Sequence, residues 1–417
     1  MKKVVLGYSG GLDTSVLIKL IREKYHADVI TLTVDIGQHE DVEVVKQKAL
    51  YIGACEAHVI DARDEFCKEY VLPTLKANAV YENAYPLATA LGRPLIAKYL
   101  VALAQKCNAD CIAHGCTGKG NDQVRLESAI TLLDPSIPIW APIREYSLSR
   151  DYEIAYAKQH TIPVSEQVNI YSIDENLWGR SVECGTLEDE NCEPPDDVFH
   201  WTASPKNAPD DSSLIEIEFD AGKPVALNNE PMELRQLITT LNREGGKHGI
   251  GRVDHIESRL VGIKSREVYE APAATILIRA HQDLEKLVLP KDVLHFKPII
   301  ESTFAELVYN GLWFSPLRHA LSSFIEETQK HITGHVRAKL YKGLAQIVGR
   351  SSKNSLYVKN LATYEGSDEF DSSAAKGFID IWSLPYRVYS TVHQSQSTAD
   401  TVCKEKQHAC DMAKKIC

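Results

Sequence analysis

The sequence predicts an α/β N-terminal domain on a parallel sheet, an α+β second domain and a C-terminal helical arm. Three observations point there. Up to residue 114, short apolar runs alternate with longer helical patterns. After Pro163 that alternation stops, and beyond residue 389 the chain is polar with scattered apolar positions and no proline after 385.

Taken in order, the first part reads as strand 4–7 and helix 14–24, strand 29–34 and helix 41–52, strand 57–60 and helix 65–77. Helix 94–105, strand 110–114 and a helix opening near Asn121 extend the series. Strand and helix repeated in this way imply a parallel sheet covered on both faces, with ligands at the carboxyl ends of the strands. Residues 186–213 are rich in Asp, Glu, Asn and Pro without apolar period, which reads as a surface excursion. Later, 213–219 alternates as a half-buried strand, 233–243 and 304–329 read as helices, and 336–348 and 377–382 as strands. A boundary at 165–172 gives domains 1–168 and 169–384 with an arm 385–417. The arm either docks on a neighbouring subunit or frays into solvent.

A length of 417 residues is enough for two or three domains with their own cores. With 44% hydrophobic and 25% charged residues, most of the chain should fold. The 57 acidic residues against 46 Lys and Arg, a formal net charge of -11, argue against nucleic acid or an anionic membrane as partner. No stretch approaches the about 18 consecutive apolar residues of a membrane-spanning helix. At the start, Gly7 interrupts the apolar run of Val4, Val5 and Leu6 too soon for a signal peptide. Ten cysteines, at 55, 67, 107, 111, 116, 184, 192, 403, 410 and 417, form no C-x-x-C pair, so reduced structural thiols in a cytoplasmic protein are expected.

Chemistry concentrates in two glycine-rich loops. Tyr8-Ser9-Gly10-Gly11-Leu12-Asp13-Thr14-Ser15 follows the first strand and opens a helix with Leu17, Leu20 and Ile21 on one face. Its glycines let backbone N–H groups approach an anion, and the helix N-terminus adds partial positive charge. Ser9, Thr14 and Ser15 add hydroxyls; Asp13 either caps the helix or positions a magnesium ion. Neither G-x-x-x-x-G-K-[ST] nor G-x-G-x-x-G occurs here, whereas S-G-G-x-D-[ST]-[ST] resembles the pyrophosphate loop of enzymes that cleave ATP between its α and β phosphates. The alternative is a plain glycine turn before a capped helix. The second loop, His114-Gly115-Cys116-Thr117-Gly118-Lys119-Gly120-Asn121-Asp122-Gln123-Val124-Arg125, also lies between a strand and a helix. Asn121 and Arg125 stand one turn apart, and an arginine there can grip a carboxylate with its fork of donors. Cys116 reads as a small pocket-lining residue, and Lys119 as a phosphate or substrate contact.

Together the two loops resemble argininosuccinate synthase, a family of N-type ATP pyrophosphatases. Further matching segments are Val34-Asp35-Ile36-Gly37-Gln38, Tyr85-Pro86-Leu87-Ala88-Thr89-Ala90, Asp174-Glu175-Asn176-Leu177, Gly246-Lys247-His248-Gly249-Ile250-Gly251-Arg252, Lys264-Ser265-Arg266 and Tyr269-Glu270-Ala271-Pro272-Ala273. The resemblance runs from about residue 4 to 385. It implies an adenine nucleotide alpha hydrolase-like first domain, ATP as substrate with Mg2+, L-citrulline and L-aspartate as small-molecule substrates, arginine biosynthesis and a homotetramer. ATP contacts carry over to Gly7, Tyr8, Ser9, Gly10, Gly11, Leu12, Asp13, Thr14, Ser15, Val34 and Gly115. Aspartate contacts carry over to Thr117, Asn121 and Asp122. Citrulline contacts carry over to Tyr85, Asn121, Arg125, Ser172, Ser181, Glu257 and Tyr269. Where some relatives have a serine that contacts citrulline, this chain has Ala90, with Thr89 as a candidate replacement.

Without the resemblance, Ser172 and Ser181 pass for loop serines beside a turn, Glu257 and Arg259 for a solvated strand face, and Tyr85 and Tyr269 for packing residues. A covalent nucleophile is not expected, since no Ser-His-Asp or Cys-His pattern stands out. Rival readings are a tRNA-thiolating or glutamine-dependent adenylating enzyme on the same loop, which paired cysteines or an ammonia source would support, and a nucleotide sensor without turnover, which a damaged second loop would support.

Overall fold

The central strands of the first sheet bury consecutive apolar residues, Val4 to Leu6 in one and Val29, Ile30, Leu32 and Val34 in the next, because a parallel sheet with helices on both faces leaves no side for water. The computed structural model describes residues 2–163, 170–364 and 370–394. It comprises two compact units, Met1–Leu356 and Tyr357–Cys417.

In the first unit, β1 (Lys2–Gly7), β2 (Ala27–Asp35), β3 (Glu56–Asp61), β4 (Cys111–Ala113) and β5 (Ile139–Trp140) form a parallel sheet in the order β3-β2-β1-β4-β5. Chain order reverses between β1 and β4. That switch point opens a crevice at the carboxyl ends of the two strands, flanked by the loops that follow them. Both glycine-rich loops fall there.

The helix expected at 94–105 begins earlier and runs Ala88–Cys107. Its start is set by Tyr85, whose hydroxyl accepts the N–H groups of Thr89 at 2.9 Å and Ala90 at 3.2 Å. A side-chain oxygen thus serves two of the four N–H groups that a helix start leaves open. The helix expected at 65–77 is interrupted by a π-helical turn, Phe66–Val71, before Leu72–Lys76.

Two antiparallel sheets follow. β6 (Ser172–Asn176), β7 (Gly179–Glu183), β11 (Arg252–Ser258) and β12 (Lys264–Glu270) pair in the order β11-β12-β7-β6; β8 (Ser213–Asp220), β9 (Lys223–Leu227), β10 (Glu230–Pro231), β13 (Gly334–Tyr341) and β14 (Leu344–Ser351) pair in the order β10-β9-β8-β13-β14. The turn between β6 and β7 docks on the first sheet: Leu177 N–H donates to Ile36 O at 3.0 Å, and the buried Trp178 indole donates to Pro86 O at 2.9 Å. The excursion at 186–213 is anchored inward rather than wholly superficial, since buried Glu270 accepts the N–H groups of His200, Trp201 and Thr202 at 2.9–3.0 Å.

Three sequence expectations are corrected. The helix at 304–329 is two helices, Lys291–Tyr309 and Pro316–Gln329, because Pro316 starts a new helix capped by Ser315. The strand at 336–348 is a hairpin, turning at Lys342 and Gly343, both with positive φ. Residues 377–382 are helical, within Ala374–Trp382, because Phe378, Ile381 and Trp382 recur at helical spacing. In the second unit this helix is followed by Leu384–Gln394. Residues 164–169, where much of the expected boundary falls, and 395–417, most of the expected arm, lie outside the described residues.

Candidate functional site

The helix Leu12–Tyr25 begins at Gly11 with no side chain capping it. Asp13 lies in the first turn and does not cap, contrary to one of the two readings of it. The first N–H groups therefore face the switch-point crevice unpaired by a cap, as an anion site requires. Hydroxyls brace the loop: Ser9 Oγ lies 3.2 Å from Thr14 Oγ1, and Tyr8 OH lies 3.1 Å from Ser15 Oγ. Gly10 adopts φ 81°, and a Cβ there would meet Val45 at 3.1 Å. Lys48, which the sequence did not single out, donates to Gly10 O at 2.6 Å and brings a positive charge to the loop.

Gly115, at the start of the second loop, lies so close to the first that a Cβ would meet Thr14 Cγ2 at 3.0 Å. Val34 closes the far side from the end of β2, its carbonyl accepting from Gln38 at 3.0 Å. The expected nucleotide contacts thus form one lip of the crevice.

Asp13 has a carboxyl neighbour, Glu153, buried to 3% exposure. Burial and the hydrogen-bonded Asp13 push the Glu153 carboxyl up to about 8. Folded, it binds a proton that the unfolded chain releases once pH exceeds its ordinary 4.5. Its contribution to stability therefore falls as pH rises from about 4.5 to about 8. Glu153→Gln is expected to flatten the decline of melting temperature across that window, which thermal unfolding at stepped pH measures; an unchanged slope would refute the assignment.

The second loop continues into the helix Asp122–Leu133, whose first turn belongs to a half-buried charge network. Arg125 lies with its guanidinium 4.6 Å above the Tyr309 ring, donates from Nε to Tyr309 O at 2.8 Å and from one terminal nitrogen to Asp122 at 3.1 Å. Its other terminal nitrogen has no acceptor among the described residues. Asp122 also accepts from Arg93 at 2.7 Å, and Arg93 contacts Asp174. Burial works against ionising Asp122, but Arg93 and Arg125 outweigh it and hold the carboxyl at about 2. Asn121 donates to Tyr309 OH at 2.8 Å. Cys116 is half-buried, and desolvation pushes its thiol up to about 12, which leaves it protonated and not a nucleophile.

The remaining candidates come from the sheet β11-β12-β7-β6. Pairing sets Glu257 opposite Ser265, Tyr269 opposite Ser181, and Ser181 opposite Asp174, while Ser172 faces Glu183. Directly opposed residues share a face, and so do alternate residues along a strand. Ser172, Ser181, Glu257 and Tyr269 therefore lie on one face, although up to 97 positions separate them in the chain. Tyr269 stacks on Tyr85 with centroids 4.2 Å apart, and Tyr81 stacks on Tyr309 at 3.6 Å. Glu257, 2% exposed, accepts the hydroxyls of Tyr309 at 2.5 Å and of Tyr269. It forms no ion pair among the described residues. Ser181 Oγ lies 3.3 Å from Thr89 Oγ1, while Ala90 is buried, so a hydroxyl is present one residue before the replaced serine.

Two predicted residues stand apart from this density. Ser172, at the outer end of β6, is exposed, and Thr117 is exposed in the second loop. Four contributors were missed or misjudged from sequence: Arg93, Tyr309, Lys48 and Arg259. Arg93 carried one signal, a charge inside the otherwise uncharged first turns of its helix, Ala88 to Ala97.

Residues 3–163 match a family model described as the arginosuccinate synthase N-terminal HUP domain, and residues 171–389 match one described as the arginosuccinate synthase C-terminal domain. The argininosuccinate synthase of Oceanobacillus iheyensis is 55% identical over 396 residues, covering 95% of both chains. That of Brevibacillus brevis is 54% identical over 410 residues, covering 97% of this chain and 98% of its own. That of Pyrococcus furiosus is 55% identical over 399 residues, covering 95% and 97%. Both halves of the crevice, the loops and the polar sheet face, lie within these matches, and the chain belongs to the argininosuccinate synthase family.

Proposed function

We propose that this chain ligates L-citrulline to L-aspartate, converting ATP to AMP and pyrophosphate, in arginine biosynthesis. The observation that carries the reading is Glu257. A buried carboxylate held by two phenol hydroxyls, with no cation paired to it among the described residues, suits the ammonium of an amino acid. Arg125, with one terminal nitrogen unpaired among the described residues, suits its carboxylate.

The reaction has two steps. The citrulline ureido oxygen attacks the α-phosphorus of ATP, forming a citrullyl-adenylate and releasing pyrophosphate. The aspartate amine then attacks the activated ureido carbon and AMP departs. Both attacking atoms come from substrates, so the protein acts by positioning and charge stabilisation.

Gly7, Tyr8, Ser9, Gly10, Gly11, Leu12, Asp13, Thr14 and Ser15 form the cradle for the leaving pyrophosphate, with Val34 and Gly115 beside the nucleotide. Asn121, Asp122 and Thr117 hold aspartate. Tyr85, Asn121, Ser181 and Tyr269 line the citrulline side with Arg125 and Glu257, and Ser172 stands at its outer edge. No group of three or more His, Cys, Asp or Glu among the described residues makes a metal cage. Mg2+ would come with the ATP phosphates, with Asp13 as a nearby carboxyl.

The domain division at 168 and 169 also belongs to this reading. So does a homotetramer: the helices Ala374–Trp382 and Leu384–Gln394 expose Phe378, Ile379, Ile381, Trp382, Leu384, Tyr386 and Val388, an apolar face that a second copy would cover. Sedimentation should give four chains, and a chain ending at Leu384 should assemble less; unchanged assembly would exclude the arm. A cytoplasmic location belongs to the same reading; no helix among the described residues is long and apolar enough to cross a membrane.

AMP and pyrophosphate release from Mg-ATP, with each amino acid omitted in turn, tests the reaction. AMP formation that requires both is expected. Folded, ATP-binding protein without turnover would overturn it.

A further inference from the structure

Arg259, at the end of β11, joins parts of the site that no strand pairing connects. One terminal nitrogen meets Glu183 of β7 and, at 2.7 Å, Glu267 of β12. Its Nε donates to Ser265 Oγ at 2.7 Å. The other terminal nitrogen crosses to the second loop and donates to Lys119 O at 3.3 Å. The next residue repeats the crossing, with Leu260 N–H donating to Asn121 Oδ1 at 2.9 Å.

Glu183 and Glu267 lie on the polar face that carries Glu257 and Tyr269. The second loop carries Thr117, Asn121 and Asp122. On the argininosuccinate reading, the sheet face holds citrulline and the second loop holds aspartate, with Asn121 and Arg125 reaching citrulline from the loop side. We propose that Arg259 is a positioning residue that fixes the second loop against the citrulline face, so that the aspartate amine meets the activated ureido carbon.

The chemistry demands such a tie. The second step joins two substrates held by separate elements, and an ångström of misplacement there can cost about a hundredfold in rate. Only a guanidinium has donors pointing three ways from a rigid plane: two acids on one side, a hydroxyl along the stem and a carbonyl across the crevice. Placing a cation beside Glu183 and Glu267 would need only an ammonium, which a lysine supplies. The contact to Lys119 O is what an arginine adds.

Arg259→Lys separates the two roles. It keeps a cation beside the acids but cannot hold both of them and reach Lys119 O. With positioning, its melting temperature and citrulline KM stay near those of the wild type, while aspartate KM rises and kcat falls by about tenfold each. Ser265→Ala, which frees one edge of the guanidinium and leaves all charges in place, should move the same two parameters in the same direction by less. If Arg259→Lys matches the wild type in aspartate KM and kcat, the proposal is overturned. A lower melting temperature with all three substrate KM values rising together would also overturn it, leaving a purely structural arginine. Should Arg259→Lys fail to fold, Ser265→Ala decides alone, and wild-type aspartate kinetics in it would overturn the proposal. A wild-type protein without citrulline- and aspartate-dependent AMP formation would instead remove the reading beneath it, a result distinct from either variant's failure.

Discussion

Arg125→Ala is expected to lower kcat/KM for citrulline by roughly 100- to 1,000-fold, equivalent to about 3–4 kcal/mol of lost charge-assisted binding at a buried site. The guanidinium is clamped on three sides, by the Tyr309 ring, the Tyr309 carbonyl and Asp122. Its free terminal nitrogen is therefore already oriented and spends little entropy on a ligand. Alanine removes the donor, the stacking surface and half of the positive charge that keeps Asp122 ionised. Aspartate KM should consequently rise as well, by less than citrulline KM because Arg93 remains. ATP meets the other lip of the crevice, so its affinity, measured by equilibrium dialysis, should change little. Equal loss of ATP and citrulline binding would refute the role given to Arg125.

Glu257→Gln should raise citrulline KM by about 10- to 100-fold, the worth of one buried hydrogen bond to a charged group. The substitution keeps the size of the side chain but removes its charge. It also turns an NH2 group toward one of the two phenols that now donate to a carboxylate. A substrate analogue completes the test. 5-Ureidopentanoate, which lacks the α-ammonium, should bind the wild-type protein far more weakly than citrulline. It should also bind the Glu257→Gln protein about as well as it binds the wild type. If the analogue equals citrulline on the wild-type protein, Glu257 does not receive the ammonium.

Local signals carried the first half of the site. Strand-to-helix alternation located the parallel sheet. A phosphate cradle is made by consecutive backbone groups, so Ser9, Gly10, Gly11 and Thr14 declare it in the residue string. The second half is assembled from four strands whose pairing is set by packing over long separations, so Ser181 and Glu257 gave no sign of sharing a face. Glu257 looked like a solvated strand residue because nothing nearby in sequence tells of Tyr309, which comes from a helix 52 residues on. The strand expected at 377–382 failed for another reason. A short apolar run fits either period, and the helical spacing of Phe378, Ile381 and Trp382 was the arbiter. The Ser315-Pro316 pair was a readable start signal inside the supposed long helix.

The polar sheet face also restricts how this family can vary. Successive side chains along a strand point to opposite sides, so inserting or deleting a single residue in β12 would bring Arg266, Val268 and Glu270 to the crevice and send Ser265, Glu267 and Tyr269 to the opposite, packed side. Point substitutions there can be graded, but length changes within these strands come only in pairs if the site is to survive. The turn at Gly262 is different: a Cβ added there would meet nothing within 4 Å. Added length between β11 and β12 would fall at this tip, in a turn closed by Gly262 N–H donating to Arg259 O at 3.0 Å and Arg259 N–H donating to Ile263 O at 2.9 Å.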